Sequence, residues 1–156
     1  MWVVVTVVAV VVAVATYVTW LAARVDRLHA RAAAAFSALD AVSVRRAAAA
    51  VELGDREGLS DVVTAARLVL AAHPDDRESA ENDLTRALRT ASAKVDLAAP
   101  PGVAEASRRL ALARQVHADS VRDALAIRRR PLVRLLRLAR RHNPPPRFFD
   151  IDDPTL

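Results

Sequence analysis

The sequence predicts an all-α protein: an N-terminal transmembrane helix continuing into an antiparallel, up-down four-helix bundle. Three observations carry this. Residues 2–23 hold no charge and ten valines. Beyond them, apolar residues recur every three or four positions, the period of one helix face. Glycine occurs only three times in 156 residues, which disfavours a turn-rich β fold and glycine-rich phosphate loops together.

The apolar run comes first. Its length as a helix is about 33 Å at 1.5 Å per residue, enough for a hydrocarbon core of about 30 Å. Valine suits strands in water, but a lone strand in lipid leaves its backbone unpaired, so helix is the state lipid permits. Trp2 at one end and Tyr17 and Trp20 near the other match interfacial aromatic belts. No basic residue precedes the run, and Ala22-Ala23 lead straight into Arg24 with no clear cleavage site, so an uncleaved signal-anchor is expected rather than a removed signal peptide. Arg24, Arg27 and Arg31 follow the span, and the positive-inside rule then puts the N-terminus outside and residues 24–156 in the cytoplasm, at the cell membrane.

The first helix should run unbroken from the membrane to Leu53, with Val25, Leu28, Ala32, Ala35, Leu39, Val42, Ala49 and Leu53 on one face, interrupted at Arg46. Gly54 and Gly58 bracket a turn, and Ser60 is the expected N-cap of a short helix to about His73. Pro74-Asp75-Asp76 is a turn whose aspartates can cap a third helix using Ala80, Leu84, Ala87, Leu88, Ala91 and Val95, ending at Ala99-Pro100-Pro101-Gly102. The fourth starts near Val103 and places Ala106, Leu110, Ala113, Val116, Val121, Ala124 and Ile127 on one face. Pro131 should kink or end it, and Leu132 to His142 resume its periodicity until Pro144-Pro145-Pro146. With that extension it would reach about 60 Å and return to the lipid surface. The organisation expected is therefore a span at 2–23, a helical bundle at 24–142 and a Pro-rich, acidic tail at 143–156 that is too short to fold alone.

Hydrophobic residues make up 53% of the chain but aromatics 4%, so alanine and valine supply the core, and long helices with many small contacts are the remedy for its thinness. There is no cysteine, which excludes disulfides and thiolate metal sites. The most informative soluble feature is residues 128–141: Arg128, Arg129, Arg130, Arg134, Arg137, Arg140 and Arg141, no acid, and interleaved leucines. Beside the inner leaflet such a patch would rest on anionic lipid; each arginine there adds about 1 kcal/mol. A solvated helix end and a nucleic-acid contact are the alternatives, the latter disfavoured because no aromatic is interleaved. Arg45, Arg46, Arg114 and Asp119 are expected in structural ion pairs. His29, His73, His117 and His142 form no i, i+4 pair and no metal pattern, and read as surface or packing residues. No nucleophile elbow or phosphate loop occurs, so neither an enzyme nor a cofactor is expected.

Ala113-Arg114-Gln115-Val116-His117-Ala118-Asp119-Ser120-Val121-Arg122 resembles the signature of LemA-like proteins. Leu39-Asp40 before Arg45-Arg46, Arg134 to Leu138, and Pro146-Arg147-Phe148-Phe149-Asp150 resemble that family's other motifs. The chain looks like a divergent member: His117-Ala118 stand where the family has tyrosine and asparagine, and Ala47 to Ala50 replace an acidic, proline-containing continuation. The resemblance implies an N-terminal span and an antiparallel helical bundle, in a family with no established catalytic activity. The function expected is interaction or scaffolding at the membrane with an unidentified protein partner; a membrane-tethered nucleic-acid binder is the alternative.

Overall fold

A computed structural model describes residues 1–95 and 101–155. Those residues are all-helical, with no strand among them: α1 (Trp2–Glu57), α2 (Ser60–Ala71), α3 (Arg77–Val95), α4 (Pro101–Arg128) and α5 (Pro131–Leu135). The chain divides into two compact units, one of residues 1–33 with 119–147, the other of residues 34–118 with 148–156.

In the first unit the apolar start of α1 is long and apolar enough to cross a membrane. Its valines are exposed, from 75% at Val3 to 56% at Val14. Burial begins at Leu21 and Val25, which form a cluster with Ile127 of α4, Val133 of α5 and Ala139. One turn on, Ala32 packs with Val121 and Ala124.

The expected return of helical periodicity after Pro131 lasts five residues and does not reach His142. α4 ends at Arg128, where Arg129 and Arg130 close tighter bonds to the carbonyls of Ala126 and Ile127. Arg130 is extended (ψ 134°), as the residue before a proline must be, and Pro131 opens the five-residue α5. There is thus no continuous helix of about 60 Å. α5 stops because Arg137 turns left-handed (φ 52°): its N–H donates to the Arg134 carbonyl and that of Leu138 to the Val133 carbonyl. This is a Schellman end, completed by the contact of Leu138 with the cluster that holds Val133. Glycine usually fills that position. An arginine there costs about 1 kcal/mol.

In the second unit, α1, α2, α3 and α4 all contribute to one core: Ala47, Ala50 and Leu53, then Val62, Ala66 and Val69, then Leu84 and Leu88, then Val103. Four of these are alanine or come from one short stretch of α1, so the small-residue packing expected from composition is realised. α1 does not stop at Leu53 but runs through Gly54 to Glu57. Gly54 is needed because α2 passes against it; a Cβ there would lie 2.5 Å from Val63 Cγ2. The left-handed residue is Gly58 (φ 68°), and the Leu59 N–H donates to the Gly54 carbonyl. Leu59 rather than Ser60 occupies the N-cap of α2, without a side-chain cap. At the other end of α2, Arg77 donates to the carbonyls of Val69 and Ala72 and pairs with Asp40 of α1, so one guanidinium closes a helix end. Pro101 opens α4 two residues earlier than expected; the preceding Ala99 and Pro100 of the expected turn lie outside the described residues.

α4 buries Leu110, Val121, Ala124 and Ile127 of its expected face, with one exception and three polar additions. Val116, expected on the apolar face, is 47% exposed, whereas Ser107, His117 and Ser120 are buried. The seam of this helix is partly polar, which hydropathy alone does not reveal. Residues 148–155 lie on the second unit: Ile151 is buried with Leu39 and Leu110, and Phe149 meets Phe36 edge-on at 6.2 Å. The Asp152 N–H donates to Asn82 Oδ1 (2.7 Å) and Arg89 to the Asp153 carbonyl (2.6 Å).

Candidate functional site

The arginine run of the first unit is the candidate site, and its fold gives the seven arginines unequal roles. Arg128 is half-buried and held in place. Its Nη1 donates to the His142 carbonyl (2.8 Å) and the Ala139 carbonyl (3.3 Å), and its Nη2 to Asn143 Oδ1 (2.6 Å). Arg141 lies 3.5 Å from Asp26. Arg129, Arg130, Arg134, Arg137 and Arg140 are exposed, and none has an ion-pair partner among the described residues. The turn at Arg137 bends the chain back, so that Arg128, Arg134, Arg137 and Arg140 line one open hollow of ≈ 390 Å³ with Val133, Ala139 and Asn143. No carboxylate lines it. A second hollow, of ≈ 320 Å³, is formed by Tyr17 and Leu21 of α1 with Arg130, Pro131 and Leu132.

Beneath the arginines lies a polar cluster that sequence spacing does not reveal. His29 and His142, 113 positions apart, stack with ring centroids 4.3 Å apart. His142 Nε2 donates to Asp26 Oδ1 (2.8 Å), and His29 Nδ1 donates to the Val25 carbonyl (2.8 Å), which leaves its Nε2 to accept from Arg128 (3.4 Å). That tautomer is neutral. Burial holds His29 below its ordinary value, reinforced by the nearby His142 and Arg128 and opposed by the bond to Val25. The bond from His142, with the Arg141 charge, holds Asp26 below the usual carboxylate range. In the second unit, burial alone lowers His117, whose ring meets Phe36 at 5.7 Å.

These shifts fix the sign of a pH dependence. A histidine lowered in the folded state favours folding while neutral, so its contribution is present above about 6.5 and lost as pH falls through the folded value. The Asp26 contribution survives to lower pH: it is full above about 3.8 and is lost as pH falls through its lowered value. Thermal melts of the full chain in detergent should therefore decline as the pH is brought below about 6.5. His117→Leu should flatten that slope, and a slope identical in the variant would exclude His117 as its source.

The expected structural ion pairs fare differently. Arg46 is fully buried with Glu81: Nη1 donates to Glu81 Oε2 (2.6 Å) and to Thr85 Oγ1 (3.0 Å), Nε to Ser107 (3.0 Å) and Nη2 to the Pro154 carbonyl (3.4 Å), while Ser43 donates to the other Glu81 oxygen. Arg114 lies 3.8 Å from Asp150, and Asp119 accepts from Arg122 at 2.6 Å. Arg45 departs from expectation. It is exposed and has no ion pair among the described residues, because the helix turn that buries Arg46 points its neighbour outward. Asp119 and Asp123 are exposed, His117 packs on Phe36, and each nitrogen of Arg46 already has an acceptor. Among the described residues no group of three or more acidic, histidine or cysteine side chains could hold a metal. Compared with protein-family models, with curated proteins and with solved structures, the chain matches none.

Proposed function

We propose that this chain is a single-pass, membrane-anchored helical protein of LemA-like type, with a four-helix antiparallel soluble part, that acts in interaction or scaffolding rather than catalysis. Its N-terminus lies outside and its bulk in the cytoplasm, where the basic segment after α4 rests on anionic lipid. The observation that carries the reading is the packing of that segment, through Ile127, Val133 and Ala139, onto Leu21 and Val25. Those two residues stand at the end of the apolar run. Whatever depth the run takes in a bilayer, α5 is tied to its polar edge.

The energetics agree. A row of exposed valines has no protein partner, and burying each in hydrocarbon gains about 1.5 kcal/mol or more. Leu132, Leu135 and Leu136 are exposed beside Arg130, Arg134 and Arg137, with Leu135 at 76%. Apolar tips flanked by arginines suit the headgroup boundary, where the leucines enter the lipid and the guanidinium groups meet phosphate. Arg24 lies 5.6 Å over the Trp20 ring, a pairing suited to the same level. The motifs that resemble those of LemA-like proteins imply the same architecture.

The chain has no cysteine, so Leu135→Cys gives one labelling site. With an environment-sensitive dye there, the full chain in nanodiscs containing phosphatidylglycerol should emit at shorter wavelength than in phosphatidylcholine alone. A label at Thr90 should read aqueous in both. If the label at 135 is equally aqueous in both lipids, the lipid contact is wrong.

A further inference from the structure

We propose that the hollow lined by Arg128, Arg134, Arg137 and Arg140 is a discrete site for one phosphate group, the headgroup of an anionic membrane lipid, and not merely part of a diffuse basic surface. The inference deepens the reading above and rests on it.

Three observations carry it. First, the segment is folded so that these arginines converge. On one straight helix, Arg128 and Arg140 would lie twelve residues and about 18 Å apart along the axis. The break at Pro131 and the turn at Arg137 bring them around a single hollow of ≈ 390 Å³. Second, the charges are uncompensated. Arg134, Arg137 and Arg140 have no ion-pair partner among the described residues, no acid lines the hollow, and Asp26 is engaged by His142 and Arg141. Arg128 is fixed by the carbonyls of Ala139 and His142 and by Asn143, so it forms a wall against which three exposed guanidinium groups can close. Planar, forked donors of this kind match phosphate oxygens in pairs. Third, Arg137 holds the left-handed position that glycine would fill more cheaply. A side chain kept there against backbone preference is one whose guanidinium is used.

The ligand is an amphiphile rather than a free anion on the same geometry. Exposed Leu132, Leu135 and Leu136 flank the arginines, and the neighbouring hollow against Tyr17 and Leu21 is apolar on its α1 side. A phosphate seated among the arginines would leave its glycerol and acyl chains directed along that surface.

The test uses the full chain in an uncharged detergent, titrated with short-chain phosphatidylglycerol and, separately, with inorganic phosphate, and read by native mass spectrometry and thermal shift. One phosphatidylglycerol should bind saturably, and inorganic phosphate at least tenfold more weakly; equal affinity for inorganic phosphate would assign the site to a soluble phosphate instead and overturn the lipid. Arg134→Gln with Arg137→Gln should lower affinity by about tenfold or more, as expected for lost charge-assisted bonds. Arg27→Gln with Arg129→Gln removes the same charge from the same unit but from neither hollow, and should lower it less than about threefold. Equal losses in the two pairs would overturn the discrete site. Arg137→Gly separates use from packing: it should raise the melting temperature yet weaken binding. If phosphatidylglycerol shows no saturable binding while the label at position 135 still responds to it in nanodiscs, the discrete site is wrong and the lipid contact stands. If neither responds, both fall.

Discussion

Replacing Arg46 by methionine should lower the stability of the full chain by roughly 3–5 kcal/mol, the range for breaking a buried ion pair from one side. Both partners are fully buried. Among the described residues, the substitution removes the only cation bonded to Glu81 and leaves its carboxylate with the Ser43 hydroxyl alone. Desolvating an ionised carboxylate without a countercharge is the dominant cost, and the methionine's own packing recovers little of it. Methionine's thioether has no hydrogen to donate, so Thr85, Ser107 and the Pro154 carbonyl also lose the donors they have now. Because the penalty belongs to the orphaned charge, Arg46→Met with Glu81→Leu should regain most of the loss. Chemical denaturation in detergent, following helix content by circular dichroism, measures all three. A single variant that costs no more than about 1 kcal/mol, as exposed pairs do, would show that this network is not buried in solution.

Ile151→Ala should cost about 2–4 kcal/mol, in the range for truncating a buried aliphatic side chain. Ile151 is 3% exposed and packs on Leu39 and Leu110, both fully buried. The effect should extend beyond the lost methylenes. The same stretch carries the Pro154 carbonyl that accepts from Arg46 and the Asp153 carbonyl that accepts from Arg89. Loosening this anchor uncovers the buried guanidinium. Trypsin should then cut after Arg147 much faster than in the unaltered chain, a readout independent of the melt. Combined with Arg46→Met the two losses should fall short of additive, since both act on the Pro154 contact. Full additivity with unchanged proteolysis would mean that the tail is held elsewhere.

What the sequence discloses here depends on how each signal is encoded. The apolar run and the helical periods are collective properties of many residues, and helix content and the long uncharged helix are accordingly legible. The ending of α4 at Arg128 follows from one proline whose effect is local and strong. What comes after it is not legible: Leu132 to His142 have helical spacing, but the chain turns at Arg137 because Val133 and Ala139 are more favourably buried against Leu21 and Val25 than strung along a helix. The polar seam of α4 escapes for a related reason. Ser107, His117 and Ser120 are buried by what faces them, whereas Val116, more apolar than any of them, is left outside. Arg46 is the clearest case. Read along the chain it interrupts an apolar face; in the structure it is the centre of that face, because Glu81 supplies the charge from another helix. The stacking of His29 on His142 is likewise a product of tertiary contact, and no spacing rule reaches across 113 positions.

The left-handed arginine of the α5 turn has an implication for inheritance. Every arginine codon lies one base change from a glycine codon, so the replacement that would relax this backbone is among the most accessible in the gene. Mutation offers it continually. On the proposed lipid site, an arginine that endures at position 137 is kept for its charge, and lineages that lose the anionic lipid should be the ones in which glycine takes its place.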